Sequence, residues 1–539
     1  MGTQSDPAPV REETAEEMVA RIGGTMPAAL DAVRTAAGFP GRWKAIVVNL
    51  EKLWVCLPIL SSHLGQLETH DNALCRELLQ SVPDTLATAT DIAGRCRAPL
   101  TAGKLQLRNS IDALAVKVEV NLRDCELLVK IGELYDDSSS SRPLDDITST
   151  CSVRELQRLL ALLQMSHTEA KYLALDGILE ALHKDDKCLA SMLDDANASA
   201  MVELLTASWP MVVREKAATV VCHMAGSYCC KDVLVSQGAL MALIKLAESG
   251  SVVGRQKAAV ALHHLASRSY EAEAVVMWQG GLLPLIEMCR RKNGDSVTQS
   301  AAAGTLKNIS AAPDLRQVLA NHGIIRVMVG LLGRGDAVPE SKEHAVQCLV
   351  NLTAGYNGDE LRRAILSEGG LRGLLLYLGG DNDDQHQAAV SAIRNLVRVI
   401  STSSEGDTTM KRLAGEQGCV SLLVRTMLEH NSKSARQVAA QALASLATYP
   451  PNAKEMNKDD KCVAGLVQLL DPSHYSTATI YYAIQCLLSL ASTKRSRKLM
   501  ISHGANGHLK KLMDVHGATE LLQRLEGGML RSLFSSSKQ

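Results

Sequence analysis

One stretch, EHAVQCLVNLTA from Glu343 to Ala354, recurs in related form down most of the chain. EKAATVVCHMAG begins at Glu215, QKAAVALHHLAS at Gln256, SAAAGTLKNISA at Ser300, QAAVSAIRNLVR at Gln387, QVAAQALASLAT at Gln437 and IYYAIQCLLSLAS at Ile480. Their central apolar residues, Met224, Leu265, Ile309, Leu352, Leu396, Leu446 and Leu490, follow one another at steps of about 41 to 50 residues. Self-similarity at such a period is the signature of stacked helical repeats, units that bury their apolar faces only against neighbours. The expected fold class is therefore all-α, a solenoid.

Composition agrees with this. A chain of 539 residues is longer than a single core supports, so a solenoid or several domains are expected. Aromatics are only 3% against 46% hydrophobic residues, the vocabulary of packed helices rather than sheets. Lys+Arg total 57 and Asp+Glu 58, which gives no reason to expect generic nucleic-acid or acidic-membrane binding. The 14 cysteines are scattered, with no CxxC and no zinc spacing, and they read as free thiols of a reducing compartment. The N-terminus, MGTQSDPAPVREETAEE, lacks a secretory or organellar leader pattern. Asp6 stands where a myristoylation signal wants Ser or Thr, and no uncharged apolar run reaches membrane-span length. The compartment expected is the cytoplasm, with the nucleus open as a second.

Pro and Gly divide the start of the chain into four helical segments, Glu13 to Ala37, Arg42 to Leu67, Asn72 to Cys96 and Lys104 to Leu134. The second carries Trp43, Leu50, Leu53, Trp54, Leu57 and Leu60 at helical spacing, and Pro58 and Pro83 predict kinks or breaks. The domain reading is residues 1–12 disordered, 13–135 an N-terminal helical bundle, 136–151 a Ser/Asp-rich linker (the stretch YDDSSSSRPLDDITST runs from Tyr135 to Thr150), 152–513 about eight repeats, and 514–539 a capping helix and tail. Within 152–513, helices meet near Ser166, and a glycine precedes the second helix of most units: Gly238, Gly280, Gly323, Gly369, Gly418 and Gly504. A residue without a side chain ends the first helix and tolerates positive φ where two helices meet steeply. KDDKCVAGLVQLLD around Cys462 has no such Gly.

These units, VLVSQGALMALIKLAE and the like followed by a long helix ending in ALxNLA, resemble the armadillo family from Val153 to about Met513. The resemblance implies a right-handed armadillo-type α-solenoid preceded by the bundle. The region KLQLRNSIDALAVKVEVNLRDCELLVKIGEL, with RELQRLLALLQMSHTEAKYLALDGILEALHKDDK after it, is also similar to plant armadillo proteins related to the U-box ubiquitin ligases. The linker is too short to hold a U-box, so ligase activity of the chain itself is not implied.

Third helices side by side turn one helical position into a ladder, and the residue before each central apolar one is polar: His223, His264, Asn308, Asn351, Asn395, Ser445 and Ser489. In the armadillo family an Asn here often bonds the main chain of an extended peptide, which makes Asn308, Asn351 and Asn395 the first candidates, with His223 and His264 beside them. The competing reading is that they satisfy backbone groups inside the solenoid. Import receptors of the family add a Trp four residues earlier; Thr219, Val260, Gly304, Gln347, Ser391, Gln441 and Gln485 stand there, against a receptor for basic signals.

Arg214, Lys216, Arg255, Lys257, Lys307, Lys342, Arg394, Arg398 and Arg436 fall on or near third helices. Cations at helix starts oppose the dipole, so Arg214, Arg255, Lys342 and Arg436 are not explained by helix stability. An extended acidic or phosphorylated protein segment is the preferred ligand, against a solvated basic face as the plain alternative.

Other chemistry is weak. Adjacent His263 and His264 point apart, GGDNDD from Gly379 to Asp384 lacks calcium-loop spacing, and KRSRK at Lys494 to Lys498 is a short charged helix end. No nucleotide loop or nucleophile motif is present, and neither enzyme activity, cofactor nor metal is expected. The leading function is a non-enzymatic scaffold or adaptor. The alternatives are a substrate-binding or regulatory partner of a ubiquitin ligase, and a membrane- or cytoskeleton-associated organiser, which needs lipidation or a basic surface.

Overall fold

The computed structural model describes residues 13–65, 69–97, 104–136, 147–184, 193–267, 270–291, 295–354, 359–379, 386–402 and 408–526. The expected disordered start, most of the linker and the GGDNDD turn beyond Gly379 lie outside them. Among the described residues there is no strand. The chain divides into two compact units, Met1–Ala242 and Leu243–Gln539.

Unit 1 opens with four helices: α1 (Ala15–Arg34), α2 (Pro40–His63), α3 (Thr69–Arg97) and α4 (Lys104–Asp136). Thr14 and Glu17 close a capping box at the start of α1, Glu17 N donating to Thr14 Oγ1 at 3.3 Å and Thr14 N to Glu17 Oε2 at 2.9 Å. α2 packs along α4 and α1 along α3, while α1–α2 and α3–α4 contacts close the square. The α2–α4 pair runs parallel: Arg42 pairs with Asp112 near both starts, and His63 lies against Gly132 near both ends.

Of the kinks or breaks expected at Pro58 and Pro83, breaks do not occur: both prolines lie inside continuous helices. The apolar face continues on both sides of each proline, with Leu53, Leu57 and Leu60 buried around Pro58 and Val82 and Leu86 around Pro83. That burial holds the helix across one missing N–H. Trp54, read as part of the core stripe, is 42% exposed.

α5 (Ile147–Gln164) and α6 (Thr168–Lys184) form a helical hairpin turning at Ser166, and α5 starts six residues before the array was expected to begin. Two buried carboxylates fasten this hairpin to the bundle. Asp71 of α3, with no exposure, accepts from Arg158 Nε and Nη2 of α5 at 2.9 and 2.8 Å. Asp124 of α4, equally buried, accepts from Ser166 N at 3.1 Å and from its hydroxyl. α6 packs on the helix Met211–Gly226, which carries the first repeat stretch.

Unit 2 is an all-α solenoid of three-helix units. The third helices Val252–Leu265, Ser296–Ile309, Pro339–Thr353, His386–Thr402, Lys433–Ala447 and Thr477–Leu490 each pack on the next. Second helices stack likewise, from Leu282–Arg290 through Ile324–Gly333, Gly370–Leu378 and Cys419–Glu429 to Asp460–Gln468. The central apolar residues Leu265, Ile309, Leu352, Leu396, Leu446 and Leu490 are all buried, so the repeat pattern marks the seam between stacked units.

The junction glycines have the backbone their position demands. Gly238, Gly280, Gly323, Gly369, Gly418 and Gly504 all have φ between 73° and 86°. At the unit lacking one, Asp459 caps the second helix instead, accepting from Lys461 N at 2.9 Å. Beyond the last full unit Gly517 adds another positive φ and residues 518–526 are helical; residues 527–539 lie outside the described set.

Candidate functional site

The ladder residues sit in the C-terminal halves of the third helices, and the three Asn reach the helix of the preceding unit. Asn351 Nδ2 donates to Lys307 O at 3.2 Å and to Ser310 Oγ at 2.9 Å; Asn395 Nδ2 donates to Thr353 Oγ1 at 3.2 Å; Asn308 Nδ2 reaches His263 O at 3.5 Å. Each amide therefore ties its helix to the one before it, as the competing reading anticipated.

That tie uses only part of the carboxamide, which offers two N–H donors and an oxygen acceptor. The oxygen of Asn351 receives a long 3.5 Å contact from Gln347, and among the described residues no hydrogen bond reaches those of Asn308 and Asn395. All three side chains are half-buried. His264, Ser445 and Ser489 share this half-buried state; Ser445 and Ser489 turn their hydroxyls to Gln441 O at 3.0 Å and Gln485 O at 3.2 Å. His223 belongs to unit 1, is exposed, and lies 6.2 Å from the ring of His183.

The structure gives several of the cations a different role from the one expected. Arg214 Nε donates to Leu205 O at 3.3 Å, Arg255 Nη1 to Gly250 O at 2.9 Å and Arg436 Nε to His430 O at 2.6 Å. Each guanidinium caps the carbonyl end of the helix that precedes its own, where orphan acceptors need donors and the dipole favours a cation. The same device recurs at first helices, with Arg316 donating to Ser310 O at 3.0 Å, Arg362 to Thr353 O at 2.8 Å and Arg497 to Ala491 O at 2.6 Å. Helix stability thus accounts for Arg214, Arg255 and Arg436 after all. Lys257 and Lys307 are half-buried, while Arg394 and Arg398 are exposed on His386–Thr402.

Sequence reasoning missed the pair His263 and His344. Their rings approach to 5.6 Å over Gly304, whose absent Cβ would stand 2.6 Å from His263 Cε1 and 3.1 Å from His344 Nε2. Both histidines line a cavity of about 400 Å³ together with Val260, Val297, Ser300, Val338 and Glu340. Burial, with Lys307 nearby, lowers the pKa of His344. Among the described residues no cluster of three metal-ligating side chains forms.

Glu273, on the first helix Tyr270–Trp278, is 7% exposed, and burial pushes its carboxyl up to about 7 while Lys307 pulls it down. A folded pKa above the 4.5 of the free group means that the folded state holds the proton more tightly. Its contribution to stability is full below about pH 4.5 and is lost as pH rises through about 7. Glu273→Gln is expected to remove a slope on the order of 2 kcal/mol across that window, read from denaturant midpoints of both proteins at matched pH.

A family model described as a domain of unknown function, DUF7032, matches residues 20–133, the span of the N-terminal bundle. No curated protein matches the chain. Among solved structures it is similar to an engineered protein at 22% identity, covering 86% of this chain and 99% of that one with a TM-score of 0.45. It is also similar to a computationally designed armadillo repeat protein for modular peptide recognition, at 24% identity over 46% of this chain and 99% of that one, TM-score 0.39. A third similarity is to a designed armadillo repeat protein in complex with the peptide (KR)4, at 24% identity, 46% and 99% coverage, TM-score 0.38.

Proposed function

We propose that the third-helix face of unit 2 binds an extended polypeptide segment and that the protein is a non-enzymatic interaction scaffold. One observation carries this reading: Asn308, Asn351 and Asn395 occupy the same position on three consecutive third helices, each anchored by its N–H, with the carboxamide oxygens of Asn308 and Asn395 accepting no hydrogen bond among the described residues and that of Asn351 only a long one from Gln347. Packed helices lie about 8–10 Å apart and an extended chain advances about 3.3 Å per residue, so successive Asn meet about every third residue of the segment. A ligand read through its backbone is bound with little demand on its sequence, and specificity falls to the side chains around the ladder.

Those side chains include Lys307, Arg394 and Arg398, and the segment is proposed to carry acidic or phosphorylated residues opposite them. The test is a selection of disordered peptides, some phosphorylated, on the full-length protein. Acidic sequences should be enriched, and R394E/R398E should weaken the best of them by at least about tenfold, the loss of a charge-assisted contact. Enrichment of neutral or basic sequences, indifferent to that variant, contradicts the acidic ligand and leaves the Asn ladder to be judged by itself.

A further inference from the structure

α2 is apolar on the side that has no neighbour in the bundle. Its inner face buries Trp43, Ile46, Leu50, Leu53, Leu57 and Leu60, in contact with α1 and α4. At about 100° per residue, Val48, Val55 and Ile59 fall within about 40° of one another on the opposite side. They are 42%, 67% and 42% exposed. By length and composition α2 is the one described helix apolar enough to cross a membrane, yet its inner face is committed to the bundle. An apolar outer face on such a helix has no purpose in the fold of unit 1 and calls for a partner.

Charge indicates which partner. Lys44 and Lys52 are exposed on the same side of α2 and form no ion pair among the described residues. The other charges of the helix are compensated, Arg42 by Asp112 and Glu51 by Arg34. The stripe is thus bordered by two uncompensated positive charges and by no uncompensated negative one on α2. A second copy meeting this stripe would bring like charges together. An anionic lipid surface satisfies both features at once: the branched side chains enter the headgroup boundary while the two lysines remain at the phosphates.

We infer that the outer face of α2 docks the N-terminal bundle on an anionic membrane surface, lying in the interface rather than spanning it. This assigns a binding surface within the region matched by the model of unknown function, and it is independent of the groove reading.

The experiment is sedimentation of the full-length protein with phosphatidylcholine vesicles, with and without about 30% phosphatidylserine. The protein is expected to sediment with the anionic vesicles and to be released by high salt. V55E/I59E should lower partitioning at least about tenfold, and K44Q/K52Q about fivefold per lysine, the equivalent of the ~1 kcal/mol each gains near such a surface. All four positions face solvent, so both variants should melt as the parent does, and a variant that does not is replaced by V48E. Equal sedimentation of parent and V55E/I59E overturns the inference. So does a concentration-dependent dimer, abolished by V55E/I59E, in a protein that ignores vesicles.

Discussion

Asp71→Ala is expected to destabilise unit 1 by about 3–5 kcal/mol, because it leaves the Arg158 guanidinium buried without its bidentate partner. Arg158 retains Glu155 at 2.8 Å, but that carboxylate is half-exposed and sits on the same helix, so it neither replaces the lost contact nor crosses to the bundle. The consequence is local first. α5 loses its tie to α3 while Asp124 still holds Ser166, so hydrogen exchange should accelerate in α5 before it does in α1 or α2. Chemical denaturation of the full-length variant should show an early transition that the parent lacks, since a chain of two units need not unfold in a single step. Removing both charges with Asp71→Leu/Arg158→Met should restore much of the loss, because a buried ion pair costs desolvation that apolar side chains do not.

Gly370→Ala is expected to cost more than Gly369→Ala, although the two glycines are neighbours. Gly369 has φ of 85° and nothing near its missing Cβ, so alanine there pays only for the left-handed backbone, about 1 kcal/mol. Gly370 begins a helix, and a Cβ on it would collide with Ile365 Cγ2 and stand 2.8 Å from Ile365 O. A side chain can turn aside but the carbonyl cannot, so the crossing of the first and second helices must open, at about 2–3 kcal/mol. Gly281 repeats the arrangement, 2.7 Å from Val276 O. Thermal melts of the two single variants separate the conformational from the steric demand.

The repeat architecture was legible because its signals are local and periodic. The central apolar residues recur at a fixed step, and a glycine that must take positive φ leaves a visible mark in each unit; all six at the expected junctions adopt it. The second glycine of the Gly369–Gly370 pair was not explained by the sequence, since its constraint is the carbonyl of Ile365 across a turn. Arg214, Arg255 and Arg436 were misread for a related reason. Their helix-start position suggested charges held for a ligand, whereas the acceptor each meets belongs to the end of the previous helix. Pro58 and Pro83 show the limit of local rules, because burial on both sides of a proline outweighs one lost hydrogen bond.

The Asn ladder was found from the sequence, but its inward tie was not separable from its outward one. An amide on a helix can face its neighbour or a ligand, and the N–H of these Asn faces the neighbour. The approach of His263 to His344 was hidden altogether, because it joins residues two repeats apart through the absence of a side chain at Gly304. The outer face of α2 was hidden for the opposite reason: apolar residues all round a helix read as core until the neighbours are known.

The central claim is tested most directly by titrating the selected peptide into the full-length protein and into N308A/N351A/N395A. Each Asn is expected to contribute about 0.5–1.5 kcal/mol through one hydrogen bond to the ligand, so affinity should fall at least about tenfold. The variant also loses the three inter-repeat ties, so its melting temperature is measured alongside and titration is run well below it. A folded variant with the parent's affinity would contradict the account and leave the ladder a purely structural device.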